Sequence, residues 1–461
     1  MLKKILCIAA ALCGLTGLAH GALTYTQTQA LFLGSIYTYI PPMGGLNYLR
    51  VATNGTGVSV FAWSAPAVKE NNIMQGWANG IFFQRCDTNG NPLGSLMRID
   101  PTFRSCETCP LSSLSNPIVA IDNLSRYIIA WVDQTTPSGP SFGNSVLKGR
   151  LYDEHGSLIK EAELLQPSDF NGSNIDLRLD ANGNFIVVYS RGFFVNGNTQ
   201  YDIFARRFNA QGAPVGAEIT VSNNPATDNN STLAVNRNGA FAVTWQRART
   251  ADCVDSQYSK PGQCDDILLR RFNNQGVPLG GETKVANGNN NMDQTPSIAM
   301  DNQGNFVVAW DRYRDLCQNM LQCDDILAQR YSAAGAKLGA AIPVIANNNQ
   351  NDIGPQVAMD GNGKFVVMWQ RASVISGTTV LSPADVLFRS YDANGLNLGG
   401  TVSYRIASGL STSQFDNVYP RVGISDTGKL NVLWGTDINV PSPYSSSNKV
   451  LVFRQMIPSA W

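Results

Sequence analysis

DNQGNFVVAWDRYRDLCQNMLQCDDILAQRY, residues Asp301 to Tyr331, reads as two apolar runs joined by a polar loop that carries two cysteines. Much the same line recurs as NRNGAFAVTWQRARTADCVDSQYSKPGQCDDILLRRF from Asn236 to Phe272, and as DGNGKFVVMWQ from Asp360. Aligned on the aromatic that ends the first run, seven copies stand at Trp63, Trp131, Tyr189, Trp245, Trp310, Trp369 and Trp434, at intervals of 56 to 68 residues. Six residues before the aromatic comes Gly57, Gly183, Gly239, Gly304, Gly363 or Gly428, with Ser125 as the exception. Nine before it comes Asn54, Asp122, Asp180, Asn236, Asp301 or Asp360, with Ser425 in the last copy.

Each copy therefore predicts a strand, a D-x-x-G turn and a second strand ending in Trp. The Asp or Asn closes the turn on its own backbone, and glycine enters the left-handed region that other residues reach only at a cost. A variable loop leads to a third strand such as DILLRRF from Asp266. A second glycine turn follows, at Gly90, Gly156, Gly212, Gly276, Gly335 or Gly395, and then a short fourth strand such as GGETKVA from Gly280. Four antiparallel strands repeated seven times predict an all-β, seven-bladed β-propeller of four-stranded blades. Burial of both blade faces accounts for runs such as FVVAW, which are continuously apolar rather than alternating. The last copy stops after its third strand, so LTYTQTQALFLGSIYTYI from Leu23 is expected to complete the final blade and close the ring.

The pattern resembles the repeat units of exported bacterial β-propellers, in which D-x-x-G-x-F-V-V-x-W precedes a strand like ILAQRY and an N-x-x-G turn. Nearly all of the chain after its leader takes part. Sialidase-type Asp-boxes place the aromatic closer to the glycine, and the D-x-D-x-D-G calcium loops of integrin-like blades do not occur here. The resemblance implies a fold and carries over no catalytic residue.

Residues 1–21 have the layout of a signal peptide: Lys3 and Lys4, an apolar stretch from Ile5 to Leu18, then Ala19-His20-Gly21. A single propeller domain is expected over residues 22–461, exported to the periplasm or beyond, without a transmembrane segment. Loss of Lys3 and Lys4 leaves 32 basic residues against 34 acidic ones, a balance that gives no reason to expect nucleic acid as a partner. Only His155 remains of two histidines, which makes a Ser-His-Asp set or a multi-histidine metal site improbable; no cofactor and no metal is expected.

The second-to-third and fourth-to-first connections emerge on one rim, the top, and vary most, so a binding site is expected there. Two residues after the aromatic stand Arg191, Arg247, Arg312 and Arg371; Asp202, Asp266, Asp325 and Asp385 open the third strands. Both sets occur in repeats three to six and both are missing elsewhere, which predicts an Arg–carboxylate bridge across each strand pair. A ring of arginines that receives an acidic ligand is the alternative. Asp228, Asp293, Asp352 and Asn417, just before the first strands, are placed to meet a cation or a sugar at the channel mouth, or simply to cap turns. Cys253 with Cys264, and Cys317 with Cys323, flank equivalent loops and predict local disulfides; Cys106 and Cys109 predict a third bridge, leaving Cys86 buried and unpaired. These features favour a non-catalytic module that presents its top face to a protein or glycan. The alternative is a glycan-acting hydrolase or lyase using carboxylates such as Asp255, Asp315 or Asp416.

Overall fold

The computed structural model describes residues 47–66, 79–99, 113–134, 145–167, 174–195, 198–249, 264–286, 292–314, 323–348, 350–374, 381–405, 420–438 and 448–456. They form 27 strands and no helix, so among the described residues nothing helical is long and apolar enough to cross a membrane. Each repeat folds as an antiparallel meander; the first runs Asn47–Thr53, Ser59–Pro66, Asn79–Cys86 and Met97–Ile99 in spatial order. Repeats one to four are separate four-stranded sheets. Repeats five and six merge into one eight-stranded sheet through a single parallel bridge, Asp324 to Asn351. Three strands, Arg421–Ile424, Leu430–Ile438 and Asn448–Met456, make the last sheet. The arrangement is a propeller of antiparallel sheets in which four, not seven, stand as independent four-stranded units. The segment expected to close the ring, from Leu23, and residues 1–21 lie outside the described residues.

Packing explains the apolar runs. In Phe306–Arg314, the side chains of Phe306, Val308 and Trp310 pack among Ala234, Ala242, Ile267 and Leu269 of the preceding repeat. Val307 and Ala309, on the other face, pack among Val357, Phe365, Val367 and Trp369 of the following one. A strand wedged between two neighbours has no wet face, so it has no polar positions to spare. Trp63, Trp245, Trp310, Trp369 and Tyr189 are all fully buried by this stacking.

The turns form as their sequences dictate. Asp301 Oδ1 accepts the backbone N–H groups of Gln303 and Asn305, at 2.9 and 2.8 Å, and Gly304 takes φ +92°. Ser125, the exception to glycine, adopts the same left-handed conformation at φ +66°. These turns are tied around one rim. Gly55 N donates to Asn123 Oδ1, Ala181 N to Arg237 O and Asn302 N to Gly361 O. Gly361 N donates to Asp426 Oδ1 at 2.6 Å, and Asp426 N returns to Gly55 O at 2.9 Å. Repeat seven is thereby joined to repeat one. Further out on the same rim, arginines of the third strands reach the second glycine turn of the next repeat: Arg271 Nη1 donates to Ala333 O at 2.8 Å and Arg330 Nη2 to Ala393 O at 2.6 Å. Cation-to-carbonyl bonds from blade to blade are the reason those arginines recur.

One regularity has no counterpart in the repeat as read from sequence. Most first strands carry a β-bulge, with register shifts between Asn229 and Thr232, Gln294 and Ser297, and Ile353 and Gln356. At the bulge sits a left-handed residue: Asn230 (φ 51°), Thr295 (φ 45°) or Gly354 (φ 62°). Asn and Gly enter this region readily, but β-branched Thr does so under strain.

Candidate functional site

The rim opposite the glycine turns is where the expected site residues gather, and register decides how they meet. Arg312 lies opposite Asp293 on the first strand and Asp325 on the third; Arg371 lies likewise between Asp352 and Asp385, and Arg247 between Asp228 and Asp266. Sequence reasoning expects the third-strand acid to be the partner. The guanidiniums turn the other way. Arg312 Nε and Nη2 bind Asp293 at 2.6 and 3.1 Å, and Arg371 Nε and Nη2 bind Asp352 at 2.8 and 3.0 Å. Arg247 binds Asp228 in the same two-pronged way, at 2.7 and 2.8 Å, and adds Glu282, which stands just before its fourth strand.

The physical reason is burial. Asp228, Asp293 and Asp352 are each 0% exposed, and a carboxylate held away from water needs a cation and donors on every side. Asp352 has them: Trp369 Nε1 donates to Oδ1 at 2.8 Å and Asn348 Nδ2 to Oδ2 at 2.7 Å, besides the two bonds from Arg371. Asp293 receives Trp310 Nε1 at 2.9 Å, and Asp228 receives Asn224 Nδ2 at 3.0 Å. The aromatic column is thus more than packing; in repeats five and six its indole N–H holds the carboxylate that holds the arginine. An amide four residues before the aspartate, Asn224 or Asn348, was a legible signal for this cradle that the repeat alignment passes over.

The third-strand acids have another task. Asp325 Oδ1 accepts Asn347 N at 3.0 Å, and Asp202 Oδ1 accepts Asn224 N at 3.4 Å, so each pins the connection leading to the next repeat. Asp266 instead meets Lys284 at 2.9 Å and Arg249 at 3.2 Å. Burial pushes the Asp202 and Asp325 carboxyls above the ordinary aspartate range, the nearby Asp228 and Asp352 charges adding to the effect.

Arg191 follows a variant of the scheme. It forms a two-pronged pair with Glu218, at 3.0 and 2.6 Å, and its guanidinium lies 4.4 Å over the Phe204 ring. Glu218 and Glu282 occupy equivalent positions just before the fourth strands, and sequence reading assigns neither a role. Beyond Arg191 the hairpin continues outward, ending with Phe194 81% exposed.

Asn417, Asp255, Asp315 and Asp416 lie outside the described residues, as do Cys106, Cys109, Cys253 and Cys317. Among the described cysteines, Cys264 and Cys323 are disulfide-bonded, each at the start of a third strand, and Cys86 is a free thiol buried between the first and last sheets. Burial pushes the Cys86 thiol up to about 12, with the Asp87 charge adding to it. Among the described residues no group of three or more His, Cys, Asp or Glu is placed to hold a metal ion.

No protein-family model matches the chain, and no curated protein matches it by sequence. Solved structures with similar architecture include a polysaccharide lyase described as an ulvan lyase, 12% identical over 94% of this chain and 95% of that one, with a TM-score of 0.47. An α-L-arabinofuranosidase from Fusarium graminearum is 11% identical over 83% of this chain and 98% of its own, with a TM-score of 0.41. A protein of unknown function from Dyadobacter fermentans is 12% identical over 75% of this chain and 95% of its own, with a TM-score of 0.45. The chain is similar to these in its arrangement of sheets, and the likeness carries no argument about activity.

Proposed function

We propose that the chain is an exported seven-bladed propeller, closed by the segment from Leu23, that binds a glycan through the loops opposite its glycine-turn rim and does not itself cleave it. The observation that carries this reading is the fate of the recurring charges. Arg247, Arg312 and Arg371 are each committed to a buried aspartate of their own repeat. Groups so engaged serve as clamps beneath the rim, which leaves recognition to the connections that differ from repeat to repeat. Those connections are rich in amides, as in ANGNNNMDQTP and ANNNQNDIGP, and amide groups pair donor and acceptor with sugar hydroxyls. Disulfides from Cys253 to Cys264 and from Cys317 to Cys323 would hold two of these loops in shape, with Cys106 and Cys109 forming a third bridge. On this reading residues 1–21 are a leader, and residues 22–461 a single domain.

A glycan array probed with intact and with reduced protein tests the proposal. Binding that weakens on reduction supports it; binding only to envelope proteins, or binding untouched by reduction, refutes the loop assignment. A second reading is a glycan-acting hydrolase or lyase. It is favoured by the carboxylates Asp255 and Asp315, which follow in sequence the strand ends at Arg249 and Arg314. Release of reducing ends or unsaturated sugars from the bound glycan, lost in Asp255→Asn or Asp315→Asn, would establish that reading in place of the first.

A further inference from the structure

Most neighbouring sheets meet in one way. In each of repeats two to six, the aromatic four residues before the Trp or Tyr column stacks on the aromatic opposite it in the third strand, with ring centroids 4.7 or 4.8 Å apart. That pair packs with a small aliphatic residue of the preceding sheet, as Phe241 does with Ile186, Phe306 with Ala242 and Phe365 with Val307. Before repeat seven, Leu430 takes the place of the ring and packs with Val366. A ring set on an aliphatic side chain is a contact that any of these sheets could offer to any other.

The gap between the last sheet and the first is built differently. Where the stacked pair would stand, repeat one has Ser59 opposite Cys86. Three residues before the column, where the other repeats have Val, Ile or Ala, repeat seven has Asn431. Asn431 is 0% exposed and Ser59 1%. Asn431 Nδ2 donates to Ser59 Oγ at 2.8 Å and to Thr53 Oγ1 at 3.2 Å, and the two hydroxyls lie 3.0 Å apart. Asn431 Oδ1 accepts Gln455 Nε2 at 3.1 Å, and Gln455 also reaches Thr88 O of repeat one at 3.2 Å. The amide is engaged at both ends. Gly423 is the independent sign. At its register position the other first strands carry alanine, or Arg178 in repeat three. It lies within the strand Arg421–Ile424, so no turn calls for glycine; a Cβ there would stand 2.2 Å from Thr53 Oγ1. The missing side chain makes room for the network.

We propose that Thr53, Ser59, Gly423, Asn431 and Gln455 form a closure address, which lets the last sheet dock only on the first. The ring then completes neither early, nor on an inner sheet of another copy. Set against a stacked aromatic pair, Asn431 would bury an amide with no partner. An aliphatic inner face set on Ser59 would leave an unmet hydroxyl, and a void where a ring belongs. Mispairing is penalised from both sides, whereas the correct network adds little stability over an apolar contact. A single buried Asn fixes register in coiled coils by the same means. This address depends neither on what the rim binds nor on the segment from Leu23.

The test uses the full-length protein, disulfides intact, unfolded in urea and refolded by dilution at low and at high micromolar concentration. Size exclusion with light scattering reads the monomer fraction. Labelling of Cys86, located by peptide mass, reads monomers closed wrongly, because the correct gap buries that thiol. The variant T53V/S59A/N431V replaces the network with apolar groups of similar size. Refolded at low concentration, it should have a thermal midpoint at or above that of the wild type. Its oligomeric and Cys86-reactive fractions together should nevertheless rise at least about fivefold at high concentration. N431V alone is the second variant, with the same expected direction; in it Ser59 keeps Gly57 O at 3.4 Å and Gln455 keeps Thr88 O. Either variant refolding to monomer as completely as the wild type overturns the proposal. Failure of both to fold even at low concentration overturns it too, since the network would then carry stability rather than choice of partner.

Discussion

Removing either partner of the Asp352–Arg371 clamp should be among the costliest single changes on the upper rim. Asp352 has no exposed surface and receives four hydrogen bonds, two from Arg371 and one each from Trp369 and Asn348. Arg371→Ala strands a carboxylate in the dry interior, which costs about 3–5 kcal/mol for a buried pair. Asp352→Ala leaves the Trp369 indole N–H unmet, about 1–3 kcal/mol, and deprives Arg371 of its partner. Arg371 is 21% exposed, so water softens that second loss. The double change Asp352→Leu/Arg371→Leu strands no charge and retains only the unmet indole and amide. The two single costs should therefore exceed the double cost by at least about 2 kcal/mol, well above the error expected for independent sites. Urea unfolding followed by tryptophan fluorescence measures this, with the midpoint read at constant m. Asp385→Ala should cost less than Asp352→Ala. Additive single changes below about 1 kcal/mol each, or a larger loss at Asp385, would show that the clamp is not what holds this corner together.

Gly361→Ala should destabilise by about 1–3 kcal/mol, because a methyl group there would approach Asp426 Oδ1 to 2.7 Å and open the turn rim; Gly281→Ala meets nothing within 4 Å and should fall within about 0.5 kcal/mol of wild type in the same thermal unfolding assay. Cys86 should be silent to a thiol reagent in the native protein and react once the chain is unfolded without reductant; native labelling would contradict its burial between the first and last sheets. Asp265→Asn keeps an oxygen for Gln246 and Gln294 while removing a charge. Since burial raises the Asp265 carboxyl, the folded state binds the proton more tightly than the unfolded one, and wild-type stability is lost as pH rises past the ordinary carboxylate range. The melting temperature of the variant relative to wild type should therefore be higher at pH 8 than at about pH 4, near the ordinary aspartate range, and a pH-independent difference would refute the reasoning.

The propeller was legible because its signals are local. An Asx side chain, a glycine six residues before an aromatic and an apolar run between them specify each hairpin without reference to distant residues, and Asp301, Gly304 and Trp310 do in the structure what their spacing implies. Partner choice across strands was not legible. Arg312 faces Asp293 and Asp325 equally in register, and no spacing encodes that its guanidinium turns to Asp293. The bulges at Asn230, Thr295 and Gly354 were hidden for a related reason, since three unlike residues share one backbone conformation.

The contact between the first and last sheets has a consequence for how the molecule comes together. Phe61, Trp63 and Phe82 share one apolar cluster with Leu433, and Asn431 Nδ2 donates to Ser59 Oγ across 372 residues of chain. Ribosomal synthesis makes the Phe61 face early and its cover late, so this face stays bare through most of translation. Contacts this remote in sequence close slowly, and an uncovered apolar sheet is sticky while it waits. Nascent chains halted before Leu433 should thus need a chaperone's shelter more than those halted just after it.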